Sequence, residues 1–421
     1  MKTVLALTVG GSCAPVVAAV RAYEPTLTCF IATGGPKGSR VTVDGSGKPC
    51  RQRVGESEEA HPSIVAQTGL RPEQYRVVEV EDPDDLPTLY GVCVKALREL
   101  RDQYPDARYI ADYTGGSKSM SVALALAALE CGWELSLVRG QRPDLVKVAN
   151  GTEMAGLINA AEVRARQRLE EARRLFNARA YASAREILEG IPRAAPVSRE
   201  LEAKIRQWVA ICRGLDAWDR FDHRRAYDIL QTVQSQIVPQ WRFLKRIVGQ
   251  DRASGYEMVG DLIRNAERRA SRGRYDDAVA RLYRAVELLA QLRLQNEYGL
   301  DTSNLRVEAL PEGLQPRYRE RLELQAASSR EGVIRLGLWE AYALLVELDD
   351  PLGKVFQKHE KRLRDALLQR NRSILAHGLS PIGEEDYRRI HEIVTGMIQE
   401  GLRALGVPEE APQFPVWEES P

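Results

Sequence analysis

Two stretches of this 421-residue chain gather residue types that could do chemistry. Near the far end, ALLQRNRSILAHG (366–378) sets Arg370, Asn371, Arg372 and His377 in one apolar, helical-looking run. An imidazole titrates near neutrality and can take or give a proton, while a guanidinium forks onto phosphate oxygens. Cutting an RNA backbone without a metal needs a base for the 2′-OH proton, an acid for the departing 5′-oxygen and cations on the charged phosphorane; this segment holds those types. The second stretch is split. Gly10-Gly11-Ser12 follows an apolar run at the start, and Thr114-Gly115-Gly116-Ser117-Lys118 follows another far downstream and runs into an apolar helix. Glycine lets backbone N–H groups approach a phosphate, and two hydroxyls, an ammonium and an incoming helix suit an anion.

Each pattern also has a plainer reading. A Gly-Gly pair can simply make a tight strand-to-helix turn, and an arginine pair with a histidine can be exposed cations at a helix C-terminus. The glycine loops are not a Walker A motif, because Ser117 rather than glycine precedes Lys118, nor a G-x-G-x-x-G fingerprint, which disfavours a nicotinamide enzyme. On a straight helix, seven residues bring Arg370 and His377 to one face, whereas five leave Arg372 and His377 about 140° apart. Gly378 and Pro381 are stop signals, so His377 is expected in the last turn or just past it; alternatively, the site is assembled from two copies of the segment. Of the other histidines, His359 and His391 begin H-E-x-x-H without the second histidine, and His61 and His223 read as solvated side chains.

The elements that must position these residues show in the hydrophobic pattern. Strand-like runs at 3–9, 26–33, 75–81, 107–114, 133–140 and 145–150 alternate with helical segments such as 88–105 and 119–132. Alternation of this kind predicts a mainly parallel sheet with crossover helices, a Rossmann-like α/β domain over 1–152. A stretch over 34–72, rich in Gly, Ser, Pro and charge, reads as a long functional loop after the second strand. From about 155 the strand signals stop. FNARAYASAREIL (176–188), WDRFDHRRAYDIL (218–230) and ASRGRYDDAVARL (270–282) resemble one another, as in helical hairpins of the tetratricopeptide type. The expected division is therefore an all-α linker over 153–254 and a second all-α domain over 255–421, whose tail, VPEEAPQFPVWEESP, is either poorly ordered or an extended arm.

Composition excludes more than it assigns. Lys+Arg is 60 against Asp+Glu 59, so no global charge draws nucleic acid and any such contact must be local. The six cysteines never occur as C-x-x-C and sit among apolar residues, which predicts reduced, buried thiols and no zinc site. No run of about 18 apolar residues occurs and the start lacks a signal-peptide core, so the expectation is a cytoplasmic protein with no membrane contact.

VGGSCAPVVAAV together with DYTGGSKSM resembles the two signature loops of the CARF domain, the Rossmann-like sensor of CRISPR-associated proteins in type III systems. RNRSILAHG resembles the R-x(4–6)-H signature of HEPN ribonucleases, in which Asn commonly follows the Arg. The match is not a single clean one: Arg372 has the four-residue spacing but is followed by Ser373, while Arg370 is followed by Asn371 but lies six intervening residues away. The resemblance favours Arg372 with His377 as the required pair, with Arg370 and Asn371 lining the site. It implies that Gly10, Gly11, Ser12, Thr114, Gly115, Gly116, Ser117 and Lys118, with Thr33 and Gly34 at the second strand's end, hold a cyclic oligoadenylate as allosteric activator across a homodimer axis. It further implies a metal-independent endoribonuclease of single-stranded RNA in antiviral defence, without a cofactor for catalysis and without DNA as partner, leaving 2′,3′-cyclic phosphate ends. The alternative is a ligand-sensing regulator or scaffold without nuclease activity.

Overall fold

The computed structural model describes residues 2–35, 37–54, 57–140, 154–192, 196–326, 334–371, 378–407 and 411–418. The chain forms two compact units, Met1–Arg166 with Ala194–Ser198, and Gln167–Arg193 with Arg199–Pro421.

In the first unit the elements run β1 (Thr3–Val9), α1 (Ala14–Tyr23), β2 (Leu27–Thr33), α2 (Arg40–Asp44), β3 (Cys50–Val54), β4 (Ser57–His61), α3 (Ile64–Thr68), β5 (Tyr75–Val80), α4 (Leu86–Gln103), β6 (Arg108–Asp112), α5 (Lys118–Cys131), β7 (Glu134–Arg139) and β8 (Met154–Ile158). Among the described residues the main sheet is ordered β5-β2-β1-β6-β7-β8, parallel except where β8 runs antiparallel to β7. The continuous apolar runs follow from burial on both faces. Val4, Ala6, Cys29 and Ile31 pack under α4 and α5, while Leu5, Leu7, Phe30 and Ala32 pack under α1. The expected strand at 145–150 lies outside the described residues; among those described, the sheet ends on β8. The 34–72 stretch is not a bare loop: it carries α2, the β3–β4 hairpin and α3.

Cys13 and Cys50 correct the expectation of reduced thiols throughout. They form a disulfide, because the stretch holding β3 folds back on the start of α1 and brings the two Cα atoms to 5.8 Å. Cys29, Cys93, Cys131 and Cys212 are free and buried.

The second unit is helical: α6 (Ala161–Asn177), whose first turns belong to the first unit, α7 (Tyr181–Glu189), α8 (Arg199–Asp219), α9 (His223–Leu230), α10 (Val238–Ile247), α11 (Glu257–Ala270), α12 (Tyr275–Tyr298), α13 (Gln315–Ala326), α14 (Leu338–Glu347), α15 (Pro351–Asn371) and α16 (Glu384–Ala404). The three similar segments make one and the same turn. Arg179, Phe221 and Gly273 each take a left-handed backbone at φ 62, 64 and 69°, and the next residue's N–H reaches back to Leu175, Ala217 and Arg269. The alanine five residues past each turn, Ala184, Ala226 or Ala278, is fully buried, so the paired helices can approach closely. No helix among the described residues is long and apolar enough to cross a membrane.

His223, expected in solvent, is largely covered. Its Nε2 lies 2.8 Å from Asp261 Oδ2, and the Trp218 indole donates to the other oxygen of that carboxylate. Arg268, Arg269 and Asn265 converge beside it on Asp219. Each buried charge therefore has a partner, as burial requires. The tail proves to be an extended arm laid over this junction. Trp417 stacks on Trp208 at 3.6 Å and exchanges two hydrogen bonds with Asn177, and Phe414 lies under the Arg268 guanidinium.

Candidate functional site

Sheet order decides where the glycine loops meet. β1 pairs with β2 on one side and β6 on the other, so the chain reverses its direction of travel across the sheet there, and a crevice opens beyond the carboxyl ends of β1 and β6. Gly10-Gly11 leaves β1 and Gly115-Gly116 follows β6, so the two loops touch backbone to backbone. A Cβ on Gly10 would lie 2.8 Å from the Gly116 nitrogen, and one on Gly115 would lie 2.2 Å from the Thr8 carbonyl oxygen. Gly116 sits at φ 85°, which favours glycine. Gly11 differs. A Cβ there would meet nothing within 4 Å, so packing within the chain gives no reason for its bare backbone.

A cavity of about 370 Å³ opens over these loops. Its lining includes Gly10, Gly11, Thr33 and Ser117 of the expected residues. Ser12 is exposed and not among the lining residues, and the Gly34 N–H is spent on the Val80 carbonyl. Thr114 is turned into the scaffold: its Oγ1 accepts from Val138 N at 2.7 Å and its N–H donates to Asp112. Asp112 is buried and also accepts from Ser136 Oγ at 2.6 Å; burial pushes its carboxyl above the ordinary range, and the Ser136 and Thr114 hydrogen bonds pull the other way. Ser117 caps α5 by accepting from Met120 N and donates its hydroxyl to Pro83 O.

The sequence reading missed the residues that the insertion adds. Lys37 and Ser39 line the same cavity. Ser39 Oγ donates to Val9 O at 2.7 Å and accepts from Thr33 N at 3.0 Å, and its N–H donates to Thr33 Oγ1. One serine thus ties the insertion to the ends of β1 and β2, and the Cys13–Cys50 disulfide ties it again to the start of α1. The signal available in sequence was the length of the 34–72 stretch with a lysine and serine at its start. Lys37 and Lys118 are exposed and, among the described residues, carry no hydrogen bond or ion pair. An unpaired ammonium such as that of Lys37, beside bare glycine backbone, is chemistry that can hold an anion.

The loop contact carries its own prediction. Gly115→Ala drives a methyl group into the Thr8 carbonyl, and such overpacking costs typically about 1–3 kcal/mol. Thermal unfolding should show the first unit melting earlier; an unchanged midpoint would mean that the loops do not touch as described.

In the second unit, Arg370 and Asn371 close α15. Arg372 and His377 lie outside the described residues, as do the side chains of Arg370 and Asn371, so the structure neither joins nor separates the expected pair. His359 is engaged elsewhere, with Nε2 2.7 Å from Glu400.

Comparison with known families bears on both halves. The model for the Csm6 6H domain matches residues 165–254, and that for the Csm6 HEPN domain matches residues 248–400. Together they span 165–400, more than half of the 421 residues. The chain belongs to the Csm6 family. It is thus a CARF–HEPN effector of type III CRISPR systems, with its 6H and HEPN segments sharing the second unit. Among solved structures, Enterococcus italicus Csm6 bound to cyclic hexa-2'-fluoro-hexa-dAMP matches with a TM-score of 0.60 at 14% identity, covering 96% of this chain and 95% of that one. That likeness shows the fold: an α/β domain followed by helices. Can2 from Sulfobacillus thermosulfidooxidans in complex with cyclic tetra-adenylate matches at 15% identity over 56% of this chain and 68% of its own, with a TM-score of 0.25, too low to carry an argument. No curated protein matches.

Proposed function

We propose that the chain is an endoribonuclease of single-stranded RNA that cyclic oligoadenylate switches on. The observation that carries the sensor half is the cavity lined by Gly10, Gly11, Ser117 and Lys37 where both glycine loops meet, with Lys118 next to Ser117 along the chain. Phosphodiesters suit the backbone N–H groups and the two ammonium groups, and Gly11 leaves room for close approach. At about 370 Å³ the cavity stands at the lower end of ligand sites, which suits part of a ring shared between two copies. The Csm6 structure solved with a cyclic hexanucleotide analogue supports the ligand class.

The HEPN match over 248–400 supports the RNA-cutting half. His377 moves protons at the 2′-oxygen and the departing 5′-oxygen, and Arg372 holds charge on the phosphorane, with Arg370 and Asn371 at the edge of the site. These groups do without a metal and leave 2′,3′-cyclic phosphate and 5′-hydroxyl ends. The ring favours the cutting state only by binding it more tightly than the idle state of the homodimer.

A fluorogenic single-stranded RNA incubated in EDTA with each cyclic oligoadenylate in turn tests the whole reading. One ring size should start turnover, with no turnover in its absence. Tight binding of a ring without cleavage under any condition would instead leave a ligand-sensing regulator.

A further inference from the structure

A second cavity lies wholly within the helical unit, and none of its described lining residues belongs to the RNRSILAHG segment. It encloses about 470 Å³ between α10, α11, α16 and the start of the C-terminal arm. One wall is apolar, built by Phe243, Tyr256, Ile263, Ile398 and Leu402. The polar part of the lining includes His391, Thr395 and Gln399. The His391 Nε2 is buried and pairs with a Glu267 oxygen at 3.4 Å.

The cavity opens onto a groove of about 620 Å³ that shares Arg246, Arg252 and Arg264 with it and adds Arg242 and Lys245. The nearby carboxylates are already occupied. Glu257 accepts from the Ser254 and Gly255 N–H groups, Glu267 holds Arg264, and Asp251 holds Lys245. Arg242 and Arg252 are exposed and, among the described residues, their guanidinium groups have no hydrogen bond or ion pair. Positive charge is therefore left over along the groove, while the pocket behind it offers an apolar wall and hydrogen-bonding groups at a flat ligand's edge.

We infer that this pocket and groove bind a phosphorylated nucleoside, the base in the pocket and the phosphate on Arg242 and Arg252. An apolar pocket for a base beside a cationic track is how single-stranded nucleic acid is held without reading its sequence. The same chemistry has two sources, a nucleotide within an RNA strand or a free nucleotide, and the strand source rests on the function proposed above.

The test uses the full chain carrying His377→Ala, so that RNA survives, with and without Arg242→Glu and Arg252→Glu. Both arginines are exposed, so the substitutions leave the fold intact, which equal melting temperatures would confirm. The probes are a fluorescein-labelled uridine decamer, followed by anisotropy across a salt series, and adenosine 5′-monophosphate, followed by calorimetry. For the strand source, the decamer should weaken at least about tenfold in the double variant and its salt slope should fall by roughly 1.4, about 0.7 for each lost phosphate contact, with no heat from the mononucleotide. For the free source, the mononucleotide should bind and the double variant should abolish it. Both probes indifferent to both substitutions would overturn the inference. Failure here is separable from failure of the nuclease reading: intact activated cleavage with indifferent binding sinks only this site, whereas binding at this site without cleavage by the unsubstituted chain sinks only the nuclease.

Discussion

Replacing His377 by Ala is expected to lower activated RNA cleavage by about 10²- to 10⁴-fold, the range that a positioned proton-transfer group contributes. The affinity for cyclic oligoadenylate should not change, because the glycine loops and their lysines belong to a separate compact unit. Arg372→Ala should fall with it, since a phosphorane without its guanidinium loses charge stabilisation made only in the transition state. Arg370→Ala should do less, and the comparison decides which arginine pairs with the histidine. Full activity in His377→Ala, measured on the fluorogenic RNA with ring present, would refute the assignment of chemistry to this segment.

The second large effect is on stability and comes from the far end of the chain. Trp417 is 3% exposed, stacks on Trp208 and is pinned through its backbone by Asn177. Its neighbour along the arm, Phe414, fills the space among Trp218, Tyr181 and the Arg268 guanidinium. Truncating a buried tryptophan costs about 3–5 kcal/mol through lost burial and the cavity left behind. Trp417→Ala should therefore lower the unfolding temperature of the helical unit by roughly 10 °C, read by calorimetry on the full chain. The arm also accepts from Arg264 through Ala411 O and from Gln240 through Gln413 O, so it ties the 6H helices to α11 of the HEPN segment. An unchanged midpoint would mean that the arm rests on the surface without holding it.

How much could be read in advance depends on the range of the physical signal. The strands of the sensor sheet were legible because burial on both faces makes an apolar run that needs no partner to be recognised, and β1, β2, β5, β6 and β7 lie where those runs stand. The two glycine loops were legible for the same local reason: each is a strand, a turn and a helix in order. His223 was not, because its charged hairpin looks solvated until Asp261, nearly forty residues on, is packed against it. The C-terminal arm left two readings open, since its aromatic residues point to burial only when Trp208 and Trp218 are seen to wait for them.

The sequence by itself determined the α/β and helical halves, the glycine turns that end two of the strands, and the family resemblance that the Csm6 matches bear out. Only the tertiary structure decided that Gly10 and Gly116 touch, that Lys37 and Ser39 of the insertion join the same cavity, and that Cys13 and Cys50 meet. The reason is one of distance along the chain. Periodicity, turns and caps are set by neighbours within a few residues, whereas a site built where separate strands end exists only once the sheet has fixed their order.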